Sequence, residues 1–280
     1  MPSSIFTKEF HLKADNEQES AQIGFSSFID ISRSSVQVLK RSKAFKAIEF
    51  VSFRLPYTAS DSIWVEHISE LLRSEDFKSA TANSDLAYSI FDSNVTLVPA
   101  SLYTEAENSR SFEFLFGDSG LSKLLKYDFS EADMVGIYEV PENIAELQKT
   151  PIRSSYLRWL ETLFANGTKN TVHLFIQEKQ FALIVLKDGK LVFSNWFNHS
   201  KADDILYFLM ASLESLKILH TEITLTLSGE IEKGDEAHSV ISRFISKVTF
   251  AKRPKNLTYA YSFNSIPEHR FPFIFAAACA

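Results

Sequence analysis

Asp203 and Asp204 are adjacent carboxylates, the residue type from which general acid–base chemistry is often built. Their spacing argues for another use. Neighbours on a helix diverge by about 100°, so the two acids do not converge on one proton. In the first turn of a helix the dipole favours them anyway. The seven histidines (11, 67, 173, 199, 220, 238 and 269) include no pair at the i, i+4 spacing that points two imidazoles at one metal. Cys279 is the lone cysteine, which excludes an internal disulfide and a thiolate zinc set. The phosphate-loop, dinucleotide and HExxH motifs are absent. Many serines are present, but no nucleophile–base–acid set stands out among them. The sequence therefore assigns no catalytic, cofactor-binding or metal-ligating residue, and it predicts no cofactor.

Composition narrows the class. The 280 residues are 45% hydrophobic and 23% charged, an ordinary globular balance. A chain of this length tends to split its core, so two lobes are expected, residues 1–150 and 151–280. Phe is abundant at 25 residues, which implies an aromatic core or a sticky partner surface, and Gly is scarce at 8. Few glycines leave few places where backbone can wrap a phosphate. The net charge of −6 argues against nucleic acid as a partner. The short basic clusters, Lys40–Lys46 and Lys252–Lys255, read as solvated turns around strands. No apolar run reaches the ~18–20 residues of a membrane span, and the N-terminal stretch lacks the apolar region of a secretion signal. The protein is expected to be cytoplasmic, and the sequons at Asn94, Asn166, Asn198 and Asn256 to be chance matches.

The elements are clearest in the second half. Thr171–Ile176, Phe181–Leu186 and Leu191–Phe197 read as three strands joined by the turns Gln177-Glu178-Lys179-Gln180 and Lys187-Asp188-Gly189-Lys190. Ser200-Lys201-Ala202-Asp203 predicts a capped helix start, with Ile205, Phe208, Leu209 and Leu213 facing a core. A strand through "EITLTLSG", a helix over Glu236–Ser246 with Val240, Ile241, Phe244 and Ile245 on one side, and a strand at "KVTFA" complete a βββαβαβ order. The first half repeats this more loosely. Its strands are "AQIGFSSFI", "VQVLK" and "KAIEFVSFRL", and Thr58-Ala59-Ser60-Asp61 opens the helix "SIWVEHISELL". "VTLVP" (95–99) is expected as the fourth strand and "MVGIYEV" (134–140) as the fifth. A helix with Tyr156, Trp159, Leu160 and Leu163 on its apolar stripe, stopped by Asn166-Gly167, joins the halves.

A duplicated βββαβα chain of this length resembles the superfold of actin, sugar kinases and heat-shock chaperone ATPases. "TLVPASLY", "FVSFRLP", the block from Val172 to Phe197 and the terminal "RFPF" are similar to an uncharacterised bacterial domain-of-unknown-function family placed in that superfold. The resemblance covers nearly the whole chain from about residue 20. It implies an α/β, two-lobed actin-like ATPase fold, with a mixed five-stranded sheet in each lobe and no established activity.

In active members of that superfold, the resemblance implies, both first hairpin turns carry Asp-x-Gly and embrace phosphates. Glycine admits the backbone amides and the acid holds the metal shell. Here the first turn reads "FIDISRSS", with Asp30 but no glycine after it. The second, Gln177-Glu178-Lys179-Gln180, has neither glycine nor aspartate. The nucleoside-side loop keeps one glycine, in Ser228-Gly229-Glu230. Side chains at Ile31, Ser32, Lys179 and Gln180 are expected to project where phosphates would lie. The reading is a catalytically inactive scaffold for a protein partner, a homodimer being one form of it. The alternative is a divergent ATP-binding or ATP-hydrolysing enzyme using Asp30, Gly229 and Glu178. In the tail, most of Phe263, Phe271, Phe273 and Phe275 are expected to dock on a lobe or on a second copy, with only Ala276 onward frayed.

Overall fold

Near-continuous apolar strands flanked by amphipathic helices must be covered on both faces, and this sets the architecture. The structure, a computed structural model of the chain, describes residues 5–14, 24–58, 60–117, 120, 122–165 and 171–279. The chain forms two compact units. The first comprises Met1–Glu161, Pro254–Ser265 and Phe273–Ala280, and the second Thr162–Arg253 and Ile266–Pro272.

The first unit opens with strands β1 (Thr7–Lys13), β2 (Phe25–Ile31), β3 (Ser35–Ser42) and β4 (Lys46–Arg54). Helix α1 (Asp61–Arg73) buries Trp64, Ile68 and Leu71 along one stripe. Its N-cap is Ser60, whose hydroxyl accepts from the Ile63 amide at 3.5 Å. Thr58, expected to cap, instead accepts from the Ser60 amide at 3.1 Å, and Ala59 lies outside the described residues. Helix α2 (Glu75–Thr81) and strand β5 (Ser84–Ile90) follow, then β6 (Val95–Pro99), α3 (Glu105–Phe116), β7 (Ser122–Asp128), β8 (Met134–Pro141), α4 (Glu142–Ala145), β9 (Arg153–Ser154) and α5 (Ser155–Ala165).

Two strand expectations are corrected here. The fourth strand of the main sheet, parallel to β2, is β5, and β9 extends the sheet beyond it. "VTLVP" and "MVGIYEV" are strands β6 and β8, but they pair antiparallel with each other, and β8 also pairs with β7. They form a separate three-stranded sheet, order β6-β8-β7, with a small core of Phe112, Val135 and Ile137. The main sheet runs β1-β4-β3-β2-β5-β9 and gains β15 (Thr258–Tyr259) beside β4, seven strands rather than five.

The second unit holds β10 (Thr171–Ile176), β11 (Gln180–Lys187), β12 (Lys190–Asn198), α6 (Ala202–Ser215), β13 (Thr224–Gly229), α7 (Glu236–Ser242) and β14 (Val248–Phe250). Its five-stranded sheet, order β12-β11-β10-β13-β14, has the expected element order. The sequence β4-β3-β2-β5-β9 in the first unit follows the same plan, with two successive parallel pairs in each, β2–β5–β9 and β10–β13–β14. The core of the second unit contains Val172, Leu174, Leu183, Ile205, Leu209 and Leu227. Helix α7 ends at Ser242, short of Ser246, and Phe244 beyond it is 51% exposed instead of facing the core with Ile241 and Ile245.

Helix α6 starts differently from the sequence expectation. Its N-cap is Lys201, whose ammonium has no lone pair to offer an amide. The Asp204 carboxylate caps instead, accepting from the amides of Ser200 at 2.9 Å and Lys201 at 3.2 Å. Those bonds, the Ser200 amide's first, lower its pKa. Asp204 thus serves the helix start, and Asp203 lies in the same first turn. The Asn166-Gly167 stop after α5 lies outside the described residues.

The tail returns to the first unit as α8 (Pro272–Ala278). Phe263, Phe273 and Phe275 are buried and Phe271 is half-buried. Fraying from Ala276 does not occur. Ala276, Ala277 and Ala278 are buried, and the Arg41 guanidinium donates to the Ala278 carbonyl. Small side chains let the last turn lie close to its neighbours. Among the described residues no helix is long and apolar enough to cross a membrane.

Candidate functional site

The turns that the sequence singled out are built from strand ends, so their chemistry follows from where each strand stops. Strand β2 runs on to Ile31, and Asp30 is therefore inside the sheet, opposite Gln37 on β3 and Ser89 on β5. Asp30 is 4% exposed, and its carboxyl accepts from the Ser89 hydroxyl at 2.9 Å. Burial raises its pKa from 3.8 to about 6, against the opposing effect of hydrogen bonds from Ser155 and Ser89. Ile31 is fully buried, so its side chain belongs to the core and does not project from the turn.

The turn proper bonds to itself. The Ser32 amide donates to the Ser35 carbonyl at 2.8 Å, and the Ser35 amide donates to the Ser32 hydroxyl at 3.0 Å. The Ser32 carbonyl accepts from the Trp64 indole at 3.1 Å, and the Ser34 carbonyl from the Leu55 amide at 2.8 Å. Arg33 is paired with Asp61 at 2.6 Å and lies over the Trp64 ring at 4.7 Å. Asp92, which sequence reasoning passed over, is close enough to feel Arg33 and Asp61. Burial raises its pKa, and it accepts from the Asn94 amide at 2.8 Å. An acid directly after an apolar strand, in "SIFDSN", was the available signal.

The β10–β11 turn in the second unit is closed as well. The Gln177 amide donates to the Gln180 carbonyl at 2.9 Å, and the Gln180 side chain donates to the Gln177 side-chain oxygen at 3.0 Å. His199 covers the turn: its ring nitrogen donates to the Gln177 carbonyl at 2.8 Å and its amide to the Lys179 carbonyl at 2.9 Å. Glu178 is exposed at the tip.

Gly229 ends β13 beside this turn, with φ at +90°. A Cβ there would stand 2.2 Å from the Ile176 carbonyl oxygen. The Gly229 amide donates to the His269 carbonyl at 2.8 Å, and the Glu230 amide to the Ile176 carbonyl at 2.7 Å. Both amides are thus committed within the fold. The glycine serves a strand crossing, and the loop offers these two donors to nothing else. Among the described residues no group of three or more His, Cys, Asp or Glu is placed to hold a metal ion.

Asp30 carries a pH-dependent prediction. The folded chain holds its proton more tightly than the unfolded chain, so it binds more protons between about pH 4 and 6 and loses stability as pH rises through that window. Above it the ionised carboxylate costs on the order of 3 kcal/mol. Asp30→Asn is expected to gain about 1–3 kcal/mol at pH 7.5, relative to its effect at pH 4. Urea unfolding at the two pH values checks this. Taking the difference from wild type cancels other groups such as His173, whose pKa burial lowers. A loss of stability at pH 7.5 that is as large as at pH 4 would contradict it.

The element order, the two parallel sheet centres and the paired hairpin turns define a protein of the actin-like ATPase fold. A Bacteroides thetaiotaomicron protein with that fold and unknown function matches over 94% of this chain and 98% of its own, at 13% identity and a TM-score of 0.75. The structure of a PilM–PilN type IV pilus biogenesis complex matches over 90% of this chain and 97% of the other, at 13% identity and a TM-score of 0.58. The chain itself belongs to the DUF3822 family, proteins of unknown function, which matches residues 29–248. No curated protein matches it.

Proposed function

We propose that this protein is a catalytically silent, cytoplasmic member of the actin-like ATPase fold that works by holding a protein partner. The observation that carries this reading is the state of the two turns. Each closes on itself through a cross-turn bond, Ser32 to Ser35 and Gln177 to Gln180, and neither contains a glycine. A phosphate cradle needs unoccupied amides and close backbone approach. The matching strand plans of the two units are what an ancestral duplication, with halves meeting near residue 150, would leave. PilM in complex with PilN supplies a precedent, by analogy of fold alone, for such a protein engaging another.

A divergent nucleotide-using enzyme is the second reading, favoured by Asp30, a buried carboxylate whose raised pKa suits proton transfer. Phosphate release from ATP and magnesium by the full chain separates the two. The scaffold reading expects no release above the protein-free control. Turnover that Asp30→Asn abolishes would replace it with the second reading. The partner-binding half is tested by cross-linking with mass spectrometry in native extract, where reproducible cross-links to one protein are expected and their absence counts against it.

A further inference from the structure

The first unit contains a cavity of about 820 Å³, within the range of small-molecule sites, whose lining includes Tyr88, Lys126, Tyr127, Gln148, Arg153 and Arg158. Its charges are unevenly matched. Lys126 is paired with Asp128 at 3.2 Å. Glu161 accepts from the Ser130 amide at 2.8 Å, from the Ser130 hydroxyl at 2.6 Å and from the Tyr127 phenol. Burial acts to raise the pKa of Glu161, but those bonds, with Arg158 nearby, outweigh it and hold the carboxyl below its ordinary range.

The two arginines have no such partner. Among the described residues neither guanidinium is in an ion pair or hydrogen bond. Burial first, and then the charge of Arg153, lower the pKa of Arg158, while Tyr127 and Glu161 act to raise it. Two arginines without a direct hydrogen bond or close ion pair, lining one cavity, stand out in a chain of net charge −6. An oxyanion between them would relieve the repulsion and use the planar donor fork of each.

The cavity wall also selects the size of the ligand. Beside β5, the Tyr88 amide donates to the Gln148 side-chain oxygen at 3.0 Å, and the Gln148 amide group reaches the Pro151 carbonyl at 3.3 Å. Gln148 thus occupies the ladder position that an added peptide strand would need. We propose that this cavity binds a small molecule through a carboxylate or phosphate group held by Arg153 and Arg158, with the Tyr88 ring against its body. The cavity lining includes no residue of the β2–β3 turn, and the site stands whether or not the scaffold reading does.

The test uses the full chain with two probes, sodium malonate and inorganic phosphate, at ionic strength matched with sodium chloride. A saturable rise in Tm with at least one probe is expected, weakened about tenfold or more in apparent affinity by Arg153→Gln or by Arg158→Gln. Arg153 is exposed, so its variant keeps the fold, and far-UV circular dichroism checks the second variant. A response to malonate alone identifies a carboxylic acid as the ligand, and a response to phosphate alone a phosphorylated one. No response beyond the chloride control, or a response that both substitutions leave intact, overturns the proposal.

Discussion

Phe275→Ala is expected to destabilise the chain by about 3–5 kcal/mol, the usual cost of emptying a fully buried phenylalanine site. Phe275 is completely buried. Its ring stacks near Phe50 on β4 at 6.2 Å, meets Tyr259 on β15 edge-on at 5.6 Å and lies 6.3 Å from Phe263. Strand β4, from early in the chain, and the segments around Tyr259–Phe263 and Phe275 therefore share one aromatic cluster. Urea unfolding checks this, and a loss below about 1 kcal/mol would show that the tail is not part of the core.

Gly229→Ala is expected to cost about 3 kcal/mol or more, from two independent causes. A φ of +90° is unfavourable for any residue with a Cβ, by roughly 1–2 kcal/mol. The new methyl would also meet the Ile176 carbonyl oxygen at 2.2 Å, and that oxygen is fixed by the Glu230 amide. Gly189→Ala is the control. Gly189 also has a positive φ, +77°, but nothing lies within 4 Å of its would-be Cβ. It is expected to lose only about 1 kcal/mol. Equal losses at the two glycines would mean that backbone conformation alone, without the close crossing, governs Gly229.

How far the sequence revealed this follows from burial. Strands β10 and β11 are apolar along nearly their whole length because both faces are covered, and their bounds were legible to within a residue or two. Strand β5, "SDLAYSI", was missed. Only Ser89 and Ile90 within it are buried, and Leu86, Ala87 and Tyr88 border the cavity, so its residues carry little periodic signal. Strands β6 and β8 were found as strands but put in the wrong sheet. Apolar alternation shows that a strand has a covered face, and it does not show which partner covers it. The caps failed for a related reason. Several hydroxyls and acids within a few residues could each have capped α1 or α6, and only backbone geometry chose Ser60 and Asp204. Missing glycines in the turns could be read directly from the sequence. That the turns then bond to themselves could not, because it depends on Ser32 and Gln180 side chains folding back across the turn. Neither could the arginine cavity, whose members are spread over β7, β9 and α5.

Calorimetric titration of the full chain with ATP, with and without magnesium, tests the central claim most directly. Closed turns without glycine leave no cradle for a magnesium–triphosphate. No magnesium-dependent binding tighter than about millimolar is expected, equivalent to only ~4 kcal/mol. Magnesium is the discriminating variable, because a pair of arginines could hold a phosphate group without it, and Arg153→Gln with Arg158→Gln would remove any such contribution. Magnesium-dependent ATP binding in the micromolar range that survives those two substitutions would contradict the scaffold account.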